Sequence, residues 1–341
     1  MLVSDFNYFL PKELIAQVPA EKRDESRLLM LNRKTGEVKE TIFKGILDLL
    51  NAGDILVLNE TRVIPARIYG TLDGKNSKIE LLLLKEIENN IWEALSRPAR
   101  KLKPGTIVKF KEAQAQIIES KESGIRIVQF KGKNVKELLS DQGELALPPY
   151  ITSRATDINR YQTVYAKMDG AIAAPTAGLH FTPELIKEIE KKDIEVQKLT
   201  LHIGLGTFRP VMEKLVENHK MYNEEFEVSE KVAEAVNKAK EEKRRVIAVG
   251  TTVVRTLESQ AFQNHGTWNI KANQGMTDLY IYPGYNFKIV DAILTNFHLP
   301  QSTLLMLVCA YANRDYVFEA YDYAIRNNFR FYSFGDAMFI Y

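Results

Sequence analysis

A chain of 341 residues that is 45% hydrophobic and 26% charged can bury a sizeable core and is long enough for two domains, which excludes a disordered or fibrous protein. Its 46 Lys and Arg against 44 Asp and Glu leave a net charge of +2, so any nucleic-acid surface has to be a local patch. The single cysteine, Cys309, excludes an intramolecular disulfide and a cysteine-cluster zinc site, as suits a reducing cytoplasm.

Met1 to Leu10 carries no basic region ahead of a long apolar stretch, so a signal peptide is not expected. ILDLLNAG (46–53) reads as a helix and DILVLN (54–59) as a buried strand. From Arg67 to about Leu147 six short alternating runs follow, ARIYGTL, KIELLLLKE, IWEALSRPA, TIVKFKE, AQIIES and GIRIVQFKG, which predict a small antiparallel β-barrel or sandwich. Pro148 and Pro149 mark its end.

Beyond them strands alternate with helices. Thr182 caps and Pro183 begins a helix through Lys192, followed by a strand over 194–201. Ser229 caps a helix ending near Lys243; Val246 to Val249 is a buried strand that runs into Gly250, Thr251 and Thr252 and a helix to about Gln263. A strand over 290–294, a loop over 295–301 and a helix from the Ser302 cap through Ala312 complete the pattern. That last apolar run falls far short of the ~20 residues needed to span a bilayer, so no membrane association is expected. The expected class is α/β: a largely parallel sheet domain built from both chain ends (1–62 and 150–341), with an inserted antiparallel β-barrel domain (63–149).

Three loops set a histidine among Gly, Thr or Pro: AAPTAGLHFTP with His180, LTLHIGLGTFRP with His202 and LTNFHLPQST with His298. Each follows or interrupts an apolar strand, where open α/β sheets bind ligands, and imidazole suits proton transfer or hydrogen bonding to a ribose or purine. A metal-dependent hydrolase using a three-histidine site is the rival, though no His-x-x-x-His pair is present. GTTVVRTLES opens a helix, so the amides of Thr251 and Thr252 can face an anion, with Glu258 on about the same helical face. It has no Gly-Lys-Thr ending, and Gly204-x-Gly206 lacks a third glycine, so neither is a nucleotide fingerprint. RPARKLKPGTIVKFK (97–111) has six cations and no anion and can meet a phosphate backbone, which leaves a non-catalytic RNA-binding module open as well.

PAEKRDESRLL, GDILVLNETRVIPARIYG, RPARKLKPG, LALPPYI, RYQTVYA, GAIAAPTAGLHFT, TLHIGLGTFRPV, VIAVGTTVVRTLES, IYPGY, VDAILTNFHLPQSTLLMLV and FRFYSFGDAMFI occur in order across the chain. Together they resemble the signature segments of the queuosine ribosyltransferase-isomerase family. One departure is Tyr222 in HKMYNEE, where the family often has a second histidine. The resemblance implies transfer and isomerisation of the ribosyl group of S-adenosylmethionine, as a consumed substrate, onto 7-aminomethyl-7-deazaguanine at the tRNA wobble position. The implied products are epoxyqueuosine-tRNA, adenine and methionine, with no metal or redox cofactor, in a cytoplasmic monomer.

On that reading His180, His202, His298 and Asp336 are the candidate catalytic residues. Thr176, Gly178, Gly250, Thr251, Thr252, Glu258, Tyr161 and Gln162 are candidates for substrate binding, and Arg62, Arg67, Arg97, Arg100 and Lys101 for tRNA phosphates.

Overall fold

The computed structural model describes residues 1–74, 77–121, 124–152, 158–204, 206 and 211–341; of Lys101 and Ile158 only the main chain is described. Two compact units result: Met1–Arg62 with Pro149–Met168 and Ala174–Tyr341, and Val63–Pro148 with Asp169–Ala173.

The first strands are β1 (Arg27–Leu31), β2 (Val38–Ile42), β3 (Ile55–Asn59) and β4 (Thr61–Val63). Six barrel strands follow: β5 (Arg67–Leu72), β6 (Lys78–Glu88), β7 (Ile91–Arg97), β8 (Ile107–Lys109), β9 (Ala113–Ser120) and β10 (Arg126–Gly132). After helix α1 (Val135–Gln142) come β11 (Met168–Ala171), α2 (Pro183–Lys191), β12 (Glu195–Leu201), β13 (Glu224–Val228), α3 (Glu230–Glu241), β14 (Val246–Val249) and α4 (Thr251–Ser259). The chain closes with β15 (Ala261–Asn264), β16 (Thr267–Ile270), β17 (Asn273–Thr277), β18 (Ala292–Asn296), α5 (Thr303–Ala312), α6 (Arg314–Arg326) and β19 (Ala337–Ile340).

In the first unit the sheet order is β17-β13-β12-β3-β14-β18-β19-β1-β2. Its centre, β12, β3, β14 and β18, is parallel, and its margins are antiparallel. β19 runs antiparallel to β18 and parallel to β1, so the two ends of the chain share one sheet. The strands ILVLN, VIAV and AILTN are buried at every residue because both faces are covered, which is why they read as continuous apolar runs. On one face Leu56, Leu58, Ile247, Val249, Ala292 and Leu294 meet Phe43, Ile46, Phe181, Leu185 and Ile189. α3 and α4 pack against β3, β12 and β14 without joining that cluster.

Registers Leu199↔Asn59, Val249↔Leu294, Asn296↔Ala337 and Leu28↔Ala337 bring the C-terminal ends of β12, β3, β14 and β18 to the same sheet edge as the N-terminal ends of β19 and β1. In a sheet of this kind that edge is where a ligand site forms.

The second unit is a closed barrel, β10-β7-β6-β5-β8-β9. Ile68, Ile79, Leu81, Leu83, Val108, Ile117, Val128 and Phe130 fill it, and α1 adds Val135, Leu138 and Leu139.

Some local expectations change. ILDLLNAG gives a 3-10 turn, Phe43–Asp48, in place of an α-helix. The polar end of this segment is taken by Arg245, which donates to Leu49 O at 3.0 Å and binds the Asp54 carboxylate, while Asp54 accepts from Asn51 N. The helix after Gly250 stops at Ser259, because Ala261–Asn264 pairs with Thr267–Ile270 across a two-residue turn. His265 and Gly266, both at positive φ (46° and 84°), make that turn, which matches the twist of a hairpin. The strand expected over 290–294 is Ala292–Asn296.

Candidate active site

Asn59, the last residue of β3, is wholly buried and uses both ends of its amide. Its Nδ2 donates to Leu201 O (3.0 Å) and Thr252 Oγ1 (3.2 Å), and its Oδ1 accepts from the amides of Thr61 and Leu201 (both 3.1 Å). One side chain thus ties β3, the end of β12 and the first turn of α4. His202 comes directly after β12: its amide donates to Glu225 O at 2.8 Å, extending the ladder, and its Nδ1 lies 2.8 Å from Thr61 Oγ1. It is half-buried. The glycine loop beyond it is pinned by Glu224, which accepts from Gly204 N at 2.9 Å and pairs with Arg255 of α4, both side chains being buried. Arg255 also donates to Leu279 O (2.9 Å). Residues 205 and 207–210 of this motif lie outside the described residues.

His180 closes the 3-10 turn Thr176–His180, which packs on β18. Ser26 Oγ is 2.7 Å from its Nδ1, Asn296 Nδ2 is 3.2 Å from its Nε2, and Phe43 stacks on the ring at 4.9 Å. Burial pushes its pKa down to about 4. His298 is held at the same strand end but on the opposite side: its Nε2 meets Thr295 Oγ1 at 2.8 Å, and consecutive strand residues such as Thr295 and Asn296 point to opposite faces. Its main chain is fixed by Tyr321, whose hydroxyl accepts from His298 N (2.9 Å), and by Tyr8, which donates to His298 O. Burial lowers its pKa to about 3. The three histidines therefore share a sheet edge, yet His180 and His298 hang from opposite faces of β18. Among the described residues no three His, Cys, Asp or Glu side chains converge as a metal site would need.

Gly250 caps α4 at φ 90°, a conformation other residues adopt only with strain, and a methyl there would touch Ala177 Cβ at 3.8 Å. The Thr176–Gly178 turn and the Gly250–Thr252 turn are thereby neighbours. At Gly178 a methyl would collide with the Tyr165 hydroxyl and Thr163. Asp336 opens β19; its carboxylate accepts from Arg27 N (2.9 Å) and Arg330 N (2.7 Å), and burial raises its pKa. It reaches His180 only through Asn296, whose Nδ2 donates to Asp336 O at 3.3 Å.

Other candidates lie elsewhere. Glu258 is committed to the scaffold, accepting from the amides of Lys288, Ile289 and Val290 and from the Tyr285 hydroxyl. Tyr161 is fully buried edge-on against Phe334, a core position, and Gln162 lends its carbonyl to Arg23 at 2.9 Å. Arg62 is exposed and donates to Ala166 O. In the barrel Arg67 faces Glu80 across β5 and β6 (3.7 Å), whereas Arg97 and Arg100 are exposed; the Lys101 side chain lies outside what is described. Ser26, Asn59, Asn296 and the Glu224–Arg255 pair are additions to the sequence reading. For the two asparagines a signal was present: each ends an apolar strand, ILVLN and AILTN, where a polar residue has no packing purpose.

A mixed sheet with a histidine-bearing edge and a separate barrel unit defines an α/β enzyme with an accessory β-barrel. Residues 3–340 match the family model described as queuosine biosynthesis protein, and the chain belongs to that family. It is 52% identical to the S-adenosylmethionine:tRNA ribosyltransferase-isomerase of Halothermothrix orenii and 50% identical to that of Desulfitobacterium hafniense, in each case over 100% of both chains. The crystal structure of S-adenosylmethionine tRNA ribosyltransferase from Thermotoga maritima, 39% identical, matches with a TM-score of 0.56 over 99% of this chain and 100% of that one. The family resemblance and the fold class expected from the sequence are borne out. The metal-hydrolase and RNA-module alternatives find no support in these relatives.

Proposed function

We propose that this chain transfers and isomerises the ribosyl group of S-adenosylmethionine onto 7-aminomethyl-7-deazaguanine at the wobble position of tRNA, releasing adenine and methionine and leaving epoxyqueuosine. The observation that carries the reading is the 52% identity, end to end, with a relative bearing that enzyme name. S-adenosylmethionine is consumed, no metal or redox cofactor takes part, and the enzyme acts as a cytoplasmic monomer.

The sulfonium acidifies the ribose 5′ carbon, so a base has to remove a proton there. Adenine then leaves more easily when an acid protonates or hydrogen-bonds it. His202, half-buried at the end of β12, and His298, at the end of β18, supply these proton-transfer groups, and His180, on the other face of β18, contributes a neutral hydrogen-bonding group at the same sheet edge. Asp336 fixes the β19–β1 ends of the edge. Thr176, Gly178 and Gly250 shape the pocket, while the amides of Thr251 and Thr252, in the first turn of α4, face the methionine carboxylate. Arg62, Arg97 and Arg100 meet tRNA phosphates, with Lys101 beside them in sequence.

Incubation with S-adenosylmethionine and an anticodon stem-loop carrying the modified base is expected to release free adenine in step with RNA modification. Absence of adenine would overturn the reading.

A further inference from the structure

We propose that Asn296 is a positioning residue that fixes His180 as the neutral Nδ1–H tautomer, so that His180 serves as a rigid hydrogen-bonding strut and takes no part in proton transfer. The inference rests on the ribosyl-transfer reading for its effect on turnover, but not for the tautomer itself.

The orientation of the Asn296 amide is the first support for this assignment. Its outer group lies 3.3 Å from the main-chain oxygen of Asp336, which can only accept, so the nitrogen and not the oxygen faces it. That same nitrogen is 3.2 Å from His180 Nε2. An NH2 group has two hydrogens and no lone pair to offer, so one goes to Asp336 O and the other to Nε2, which must be the unprotonated nitrogen. The ring proton then sits on Nδ1 and donates to Ser26 Oγ at 2.7 Å. The Ser26 hydroxyl in turn donates to Arg23 O at 3.4 Å, so the donors run in one direction from Asn296 to the main chain.

Protonating Nε2 would set two donors against each other in a site where Asn296 is 2% and His180 6% exposed. Burial is the main influence against an imidazolium, and the Arg23 and Arg330 guanidinium charges add to it, whereas a hydrogen bond with the Arg23 main chain works the other way; the Asp336 carboxylate is already engaged by the amides of Arg27 and Arg330. Phe43, stacked on the ring, and Phe181, edge-on against Phe43 at 5.1 Å, offer nothing that would stabilise an imidazolium by hydrogen bonding.

Imidazole-nitrogen NMR on the isotope-labelled full chain tests this, with His180 assigned by the signals lost in His180→Gln. The expected result is an Nδ1–H tautomer that does not change from about pH 5 to about pH 8. An Nε2–H tautomer, or an imidazolium forming within that range, would overturn the proposal. Asn296→Asp places an acceptor against Nε2 and is expected to move the proton to Nε2, raise the His180 pKa into that range and lower kcat at least about tenfold. A shifted tautomer with unchanged kcat would defeat the positioning role. Should the Asp variant not fold, Asn296→Ala, which removes the donor facing Nε2, takes its place, and a His180 tautomer and kcat both unchanged from the wild type would overturn the positioning role. A wild-type chain that shows the Nδ1–H tautomer but releases no adenine would remove the ribosyl-transfer reading and leave the tautomer standing.

Discussion

In the sheet-bearing unit buried polar side chains are held at several points: Asn59 by four hydrogen bonds and Asn296 between a histidine and a main-chain oxygen at the candidate site, and Glu258 by amides and a phenol in the scaffold. In the barrel unit a largely apolar interior fills the space between strands, and Arg97 and Arg100 stand exposed. The first unit works by geometry in a setting where an unmet polar group is costly; the second offers charge, which water and salt screen. Substitutions in the one should act steeply and locally, and in the other shallowly and in proportion to ionic strength.

The steepest effect is expected at His202. Replacement by Ala should lower single-turnover adenine release about 10²- to 10⁴-fold, the range for a lost acid–base group, while circular dichroism stays that of the wild type. An unchanged rate would make the sheet edge a scaffold and erase the contrast between the units.

Acid stability comes next. Burial holds His180 down at about 4 and His298 at about 3, against an ordinary value of 6.5. The unfolded chain therefore takes up a proton on each near pH 6.5 when the folded chain does not. Their contribution to stability is complete above 6.5 and is lost as pH falls from there toward 4. At about pH 5 the loss is about 2 kcal/mol for each histidine. Urea denaturation at about pH 7.5 and about pH 5 measures it, and His298→Gln should remove one proton from the difference.

Glu258→Ala leaves the amides of Ile289 and Val290 without their acceptor and should cost about 3 kcal/mol of folding stability, read as a lower urea midpoint. A midpoint within about 0.5 kcal/mol of wild type would mean that the 285–290 segment finds other partners.

The two units also differed in how much of them the sequence revealed. The six barrel strands were legible because alternation of apolar residues is a local property. Gly250, the Thr182 and Ser302 caps and the three histidine loops were legible for the same reason. The partners were not. Ser26 meets His180 across 154 residues and Asn59 meets Thr252 across 193, and no short pattern records such a distance. Glu258 shows the converse: helical spacing set it near Thr251, but a carboxylate that is 3% exposed takes whatever amides the tertiary fold brings, and here those belong to residues 288–290. α6 was missed because Arg314, Asp315, Asp322 and Arg326 make its surface polar, while its buried stripe of Val317, Ala320, Tyr321 and Ala324 is short.

The mildest effect should come from the barrel. Arg97 ends a barrel strand and Arg100 sits in the 3-10 turn after it, and both are exposed, so Arg97→Ala with Arg100→Ala should leave the urea midpoint within about 0.5 kcal/mol of wild type. If both meet tRNA phosphates, two fewer counterions are released on binding. The plot of log affinity against log salt should flatten by about 1.5, and affinity near physiological salt should fall on the order of tenfold. kcat at saturating RNA should not change, because neither charge belongs to the sheet edge proposed as the catalytic site. A salt slope identical to wild type would return these arginines to the solvated surface; a fall in kcat would show that the barrel's charge reaches the chemistry, and the division of labour between the two units would have to be redrawn.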